Sequence, residues 1–550
     1  MFNVTANAPL TAGTYALQWQ MVREPLAAFF GAPSPAVEVV VQCSGRTPAQ
    51  QLQAAVDDAV AAGLPAVTVA PGVISVGARN LEVNRASDFT LAAAAAGAST
   101  LVFAPGFGVL LQGCLRTLLA GFVIDYDPPC FTQGRIEGVG AATAAGGSID
   151  VRLDAGFPLP NASWFASSET KLQFYGDDAL RRRDPAQPAF LPVGAPATEV
   201  APGVWRFPAA FPPGYAPRVG QLASISPRAN TSGYVIPDYY SGSALTVLNS
   251  SAVEVADVAI LGAGNFAVLE WAGPGGHAYR RLTIARPRNH LLSSNCDGFH
   301  SFSCGVGGTV EDAHVGFTGD DVANFHNREG LLLAASGAGR ALLIVDVGDI
   351  PAPGGGGGAE EEPLRAMDDL QAGDALRVFA PGGAGALLAT VVVGAVARSR
   401  DCAALAAAHA LLNTLGFSGR VNPAAVALFN VTAAAGGAAL PAGAVVPFDR
   451  RTSRGGALLR VTAEDVYDSC GRLQATGVAM VNCTCARSYS GLTVVYDAAF
   501  LEGTRAIEGV RVEGNTFAAV GDPPAGNMSG VIVSDADAQV EVSGNVVRQA

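Results

Sequence analysis

DVAILGAGNFAVLEWAGPGGHAYRRLTIARPRNHLLSSNCDGFHSFSCGVGGTVEDAHVGFTGDDVAN, Asp257–Asn324, is the stretch whose reading decides the fold. Short apolar runs recur in it at a fixed interval. Asp257-Val-Ala-Ile260 returns as Arg281-Leu-Thr-Ile284, and Asp297-Gly-Phe-His300 as Asp321-Val-Ala-Asn324, each 24 residues on. Asn265-Phe-Ala-Val268 and Asn289-His-Leu-Leu292 read as a third echo at the same spacing. Strands this short bury their apolar face only by stacking coil upon coil, so the repeat predicts a β-solenoid. Unrelated strands of a β-sandwich would account for the alternation but not for the interval.

The pattern extends in both directions. Upstream, VEVVVQC leads into TPAQQLQAAVDDAVAAG, an amphipathic helix that Thr47 can cap, with Leu52, Ala55, Val56 and Ala59 at helical spacing. That helix is expected to cover the open strand edge of the first coil. A second helix is expected at Asp401–Leu415. Downstream, MVNCTC, VRVEGNTF and VEVSGNVV place Asn482, Asn515 and Asn545 at expected turns.

Two stretches interrupt the coils. Residues 151–235 are rich in Pro and aromatic residues, and residues 336–455 contain LRVFAPGGAGALLATVVVGAVA, which alternates like a hairpin. Both read as domains inserted between coils, the first a small antiparallel unit and the second a barrel or sandwich. The resulting division is 1–150 for the N-terminal segment, cap and first coils, 236–335 for the central coils and 456–550 for the last ones. The Gly/Glu run at 354–362 reads as an exposed loop, because no strand-to-helix context or GK[ST] follows it.

Composition narrows the function. Of 550 residues 49% are hydrophobic and only 15% charged, which excludes long disorder and provides for a large core. Gly and Pro, 66 and 34 residues, describe a chain that turns often. A net charge of −13, with Lys171 the only lysine, excludes a nucleic-acid partner. The uncharged run Thr90–Leu111 is broken by Gly97, Pro105, Gly106 and Gly108, so it reads as buried sheet and no membrane insertion is expected. Nine cysteines with no CxxC pair point to neither a disulfide framework nor a zinc site. Sequons at Asn3, Asn161, Asn230, Asn249, Asn430, Asn482 and Asn527 fit a secreted glycoprotein. The opening MFNVTANAPL does not read as a signal peptide.

Chemistry concentrates in the same stretch that carries the repeat. Five of the six histidines, His277, His290, His300, His314 and His326, fall within residues 277–326. Coils lie about 4.8 Å apart, so Asp297 and Asp321 should stack, with Asp320 beside them. Strict alternation would send Asp320 and Asp321 to opposite faces, so a bend after Gly319 is expected. Three crowded carboxylates disfavour joint ionisation and hold a proton available. Glycoside hydrolysis needs one carboxyl as acid and another to act on water or sugar. A hard cation such as calcium is the competing use of such a cluster. With Phe299, Ala323 and Phe325 facing inward, His300, Asn324 and His326 become candidates to bind sugar hydroxyls. Glu270 and Trp271 are candidates for a sugar-stacking platform, and Arg472 and Asp497, on late coils, for further contacts.

At these residues the chain resembles the pectin-lyase-like, right-handed parallel β-helix superfamily, and within it glycoside hydrolase family 110, the exo-acting α-1,3-galactosidases. The resemblance is carried by LQAAVDDAV…VTVAPG, DGFHSFSC…GTVEDAHVGFTGDDVANFH and GRLQATGVAMVNCTCARSYSGLTVVYDAAFLEG…VEGNTF, most of the coil portion. It implies an all-β fold with a capping helix and two inserted barrels. It also implies inverting hydrolysis of terminal α-1,3-linked galactose without metal or other cofactor. The family's site aspartates fall on Asp297, Asp320 and Asp321, with Asp320 as acid and the other two holding the water. The family-like DGINIHG stands here as DVANFHN. Polygalacturonases share the coil, but their downstream Gly-His-Gly and Arg-x-Lys are not found. A non-catalytic carbohydrate-binding β-helix is the other class of function open at this point.

Overall fold

The computed structural model describes residues 46–143 continuously, and the chain as far as 326 with breaks. Elsewhere it describes mainly strands and one helix. The coil has three strand rows. One is a nine-stranded sheet running through Leu81–Asn84, Val109–Gln112, Leu245–Leu248, Val268–Trp271, Phe299–Phe302 and Ala323–His326 to Val531–Val533. The other two merge into an 18-stranded sheet. Neighbouring strands within each row pair in parallel. The protein is thus an all-β, right-handed parallel β-helix, the hand that parallel crossover connections adopt.

Alternation along the first row decides what is inside. Val109, Leu245, Val268, Phe299 and Ala323 are in register and fully buried, one above another. Two positions on, Leu111, Val247, Glu270, Ser301 and Phe325 form a second inward row. Phe299 anchors the aromatic part of the core, with its ring centroid 4.8 Å from Tyr279 and 5.5 Å from Phe325. The echoes at 257/281 and 297/321 correspond to real coil register. The third does not: Val268 pairs with Phe299, and Leu291 and Leu292 instead pack against Phe131, just before the first insertion, and Tyr175 and Leu222 within it. The loop between Ile284 and Phe299 is lengthened to receive that insertion. The run Thr90–Leu111 resolves into strands of successive rows.

Helix α1, Pro48–Ala61, begins with a full capping box between Thr47 and Gln50 and buries Ala49, Leu52, Val56 and Ala59. It covers the coil end through its backbone mimicry as well as its apolar face. The Gln53 amide donates to the Glu82 carbonyl and accepts from the Glu82 N–H, both at 2.9 Å, occupying the edge that another strand would pair.

The first insertion is a seven-stranded antiparallel sheet between Thr132 and Pro227, so it starts earlier than the expected boundary at 151. The strand Thr132–Thr143 hairpins with Gly146–Leu153 and shares the core of Ile136, Ile149, Val151, Phe174 and Phe207. The second is a closed barrel from Glu329 to Pro447. It carries helix α2, Cys402–Thr414, capped by Asp401 through Ala403 and Ala404. The Gly/Glu run lies outside the described residues. The insertions fall inside the nine-stranded row, with further strands of it beyond each: the first precedes Leu245–Leu248, the second follows Ala323–His326. Among the described residues no helix is long and apolar enough to cross a membrane.

Two late features differ from expectation. Cys470 and Cys485 form a disulfide across neighbouring coils. Of the expected turn asparagines only Asn482 has the left-handed backbone, and Gly514 and Gly544 hold the equivalent corners. Asn515 and Asn545 come one residue later and build an amide ladder. Asn515 Oδ1 accepts from Cys483 N and its Nδ2 donates to Met480 O, while Asn545 Nδ2 donates to Val512 O. Asn515→Ala leaves a buried N–H and C=O unpaired, each costing about 1–3 kcal/mol. Chemical denaturation should show a loss of that size, whereas Asn482→Ala at the exposed corner should cost less.

Candidate active site

Asp297 lies two residues before the strand Phe299–Phe302, and Asp320 and Asp321 just before Ala323–His326. Because Phe299 pairs with Ala323, Asp297 and Asp321 are stacked on consecutive coils. Thr318 bridges to Ser294, and the chain then bends through Gly319 and Asp320 before the strand begins. Neither aspartate is in extended strand, so alternation does not separate them. One carboxylate oxygen from each of the three lies within 4.8 Å of the others.

The bend is built from close contacts. The Gly319 N–H donates to Ser294 O at 2.9 Å, and a Cβ on Gly319 would run into the Asn295 carbonyl. A Cβ on Gly298 would lie 2.6 Å from the Val315 side chain. Thr318 Oγ1 donates to Asp320 O at 2.9 Å, and Gly298 N to Asp321 O at the same distance. Glycine is required at both positions by proximity rather than by dihedral angle.

The first insertion supplies the rest of the site. Lys171, on its strand Thr170–Tyr175, places Nζ 3.3 Å from Asp320 Oδ2, with side chains 3% and 14% exposed. Gln173, next on the same face, donates to Gly319 O at 2.9 Å and clamps the bend. Asn295 Nδ2 donates to Cys130 O and Pro227 O, tying both ends of the insertion to the coil. Gln133 reaches the loop before Asp297, donating to Asn289 O and accepting from Leu291 N. Sequence reasoning passed over Lys171 as a site residue. The signal available was composition: 34 basic residues include one lysine.

His300 lies on the outer face of its strand. Its Nδ1 is 2.6 Å from Asp297 Oδ2, and its ring stacks on Phe266 at 4.1 Å between centroids. Asn324 follows it in register, and Arg472 follows Asn324. The Asn324 Oδ1 is buried with no protein hydrogen-bond partner. His326 and Arg472 are placed on their strands, but their side chains, like the whole of Asp497, lie outside the described residues. Glu270 and Trp271 do not form a sugar platform. As neighbours on one strand they point opposite ways. Glu270 turns into the coil interior, 3.9 Å from His277 Nε2, and Trp271 is buried outside among Phe266, Leu269 and Cys296.

Electrostatics follow from this packing. Burial pushes the Asp297 carboxyl above its ordinary range; the His300 hydrogen bond opposes the shift and the Asp320 charge adds to it. The three oxygens are spaced to hold a hard cation, but the Lys171 ammonium already stands against Asp320. The cluster is suited to moving protons, because three carboxyls this close together disfavour joint ionisation.

The Asp297 shift has a consequence for stability. A carboxyl raised in the fold favours the native state below the unfolded pKa of about 3.9 and loses that contribution as pH rises through the folded value. Asp297→Asn is therefore expected to raise Tm over the parent at pH 7, the gain shrinking toward pH 4. Thermal melts across that window check the sign, and a gain larger at the acid end would contradict it.

No protein-family model matches the sequence, and no curated protein does. Solved structures similar to the chain include the catalytic domain of a GH87 α-1,3-glucanase in complex with nigerose. That match has 8% identity and a TM-score of 0.37, and covers 92% of this chain and 52% of that one. The family 28 exopolygalacturonase of Yersinia enterocolitica matches at 11% identity and TM-score 0.35, over 100% and 73% of the two chains. The A-module of the Azotobacter vinelandii mannuronan C-5 epimerase AlgE4 matches at 10% and 0.30, over 92% of each. The chain spans about half the length of the glucanase domain it matches.

Proposed function

We propose that the protein is an exo-acting glycoside hydrolase that removes terminal α-1,3-linked galactose from a glycan with inversion. The observation that carries the hydrolase reading is the convergence of Asp297, Asp320 and Asp321 within 4.8 Å on successive coils. Galactose and the linkage come from the resemblance in the motifs around these residues.

The roles follow from the resemblance and from exposure. Asp320 is the least buried of the three, at 14%, and can reach a glycosidic oxygen. It acts as the acid, giving its proton to that oxygen as the bond to the anomeric carbon breaks. Asp297 and Asp321 hold a water from below and accept its proton as the new bond forms. His300, fixed by Asp297 and Phe266, and Asn324, with its carbonyl oxygen unpaired by protein, stand on the same face to bind sugar hydroxyls. The inserted units, set before Leu245–Leu248 and after Ala323–His326, flank the coils that carry the aspartates, which favours a closed pocket over a long cleft and fits removal of single terminal sugars.

The three oxygens lie closer together than the roughly 6.5–9.5 Å between the carboxyls of most inverting glycosidases. Inversion here therefore needs the water gripped by two carboxylates together rather than seated between acid and base. A time course of the anomeric proton signals on an α-1,3-galactosyl disaccharide tests activity, linkage and stereochemistry at once. β-Galactose is expected as the first product; α-galactose would overturn inversion. Asp320→Asn should lower the rate by about 10²–10⁴, and a rate within a few-fold of the parent would remove Asp320 as the acid. A parent inert on galactosides and galacturonides alike would favour a carbohydrate-binding role.

A further inference from the structure

We propose that Lys171, delivered by the first insertion, is a positioning residue for Asp320 that holds its carboxylate as the proton leaves, so that the site is complete only with the inserted sheet docked. The proposal rests on the hydrolase reading above.

Three observations carry it. The first is geometric. Lys171 Nζ is 3.3 Å from Asp320 Oδ2, and its side chain is 3% exposed. Burying an ammonium is costly unless it is paired, and the strand around it is well anchored. Leu172 and Phe174 face the insertion's own core, while Lys171, Gln173 and Tyr175 face the coil. The second is docking. Gln173 to Gly319, and Asn295 to Cys130 and Pro227, fix the insertion to the two loops that carry the aspartates. The third is compositional. Every other basic side chain counted among the 34 Lys and Arg is arginine. The lone lysine stands where a compact point charge meets a single carboxylate oxygen.

The chemistry is that of differential stabilisation. While Asp320 carries the proton to be transferred, the ammonium is countered by the charge on the other carboxylates of the cluster, Lys171 being near enough to act on Asp297. As its proton passes to the glycosidic oxygen, a carboxylate forms 3.3 Å from Nζ and the attraction grows. After the sugar departs, the proton that the water gave to Asp297 and Asp321 is released and one returns to Asp320 through solvent, so the net proton count is unchanged and no further reactant is required.

The test combines a spectroscopic and a kinetic measurement on the full chain. With a single lysine, the ¹⁵N spectrum of lysine-labelled protein has one Nζ signal. It should shift in Asp320→Asn and stay in place in Asp57→Asn, a change on the exposed face of α1. An Nζ signal indifferent to Asp320→Asn overturns the pairing whether or not any glycoside is cleaved. In kinetics on the α-1,3-galactosyl disaccharide, Lys171→Met should lower kcat about 10²-fold with KM close to the parent's. A parent-like kcat in a folded Lys171→Met protein overturns the role while leaving the hydrolase reading intact. An inactive parent whose Nζ signal still answers to Asp320→Asn sinks the hydrolase reading and leaves the pairing standing.

Discussion

The parallel pairing of Phe299 with Ala323 is the constraint on which the site depends. It puts two loops of unlike length into one register, so that Asp297 comes to rest over Asp321 without either lying in a strand. A slip of one residue would carry Phe299 and Phe325 out of the aromatic core and every outward polar group into it. The energetic demand for a buried Phe299, packed edge-on against Tyr279 and tilted against Phe325, therefore also fixes the spacing of the carboxylates. The core keeps like charges together that would separate if free.

Around that pairing the protein spends its polar contacts on two tight corners. Gly298 and Gly319 allow the backbones to approach, and the carbonyl of Gly319 is satisfied from the insertion by Gln173. Burial raises the Asp297 carboxyl, and the docked sheet brings the ammonium that meets Asp320. Stability and chemistry pull in opposite directions here: the coil would be content with neutral side chains at these positions, while proton transfer needs titratable ones.

Much of this is legible in residues alone, because local rules agree with the global fold. Thr47 and the apolar spacing through Ala59 mark α1, since capping and amphipathicity are local. The interval between Asp297 and Asp321 predicts their stacking because a solenoid turns sequence distance into height. Other features are not local. Glu270 looks like a partner for Trp271 until the pleat sends them apart, and nothing near it announces that it replaces the valine of the coil below in an inward row. Leu291 and Leu292 mimic a strand echo because they serve another core. Lys171 is 149 residues from Asp320, and only the folded insertion brings them together. Asn515 and Asn545 share a turn-forming residue type with Asn482, but a one-residue offset converts corner into ladder.

The attachment points of the two insertions have an architectural outcome. One departs before the first-row strand of its coil, the other after a strand of that row two turns beyond Val268–Trp271, so neither interrupts a pairing partner. The paired rows act as a floor whose dimensions are set by stacking, and the inserted units as walls set upon it. Walls of this kind can lengthen, shorten or exchange surface loops over generations while the floor beneath stays in place, which separates the evolution of what the protein admits from the evolution of what it does to it.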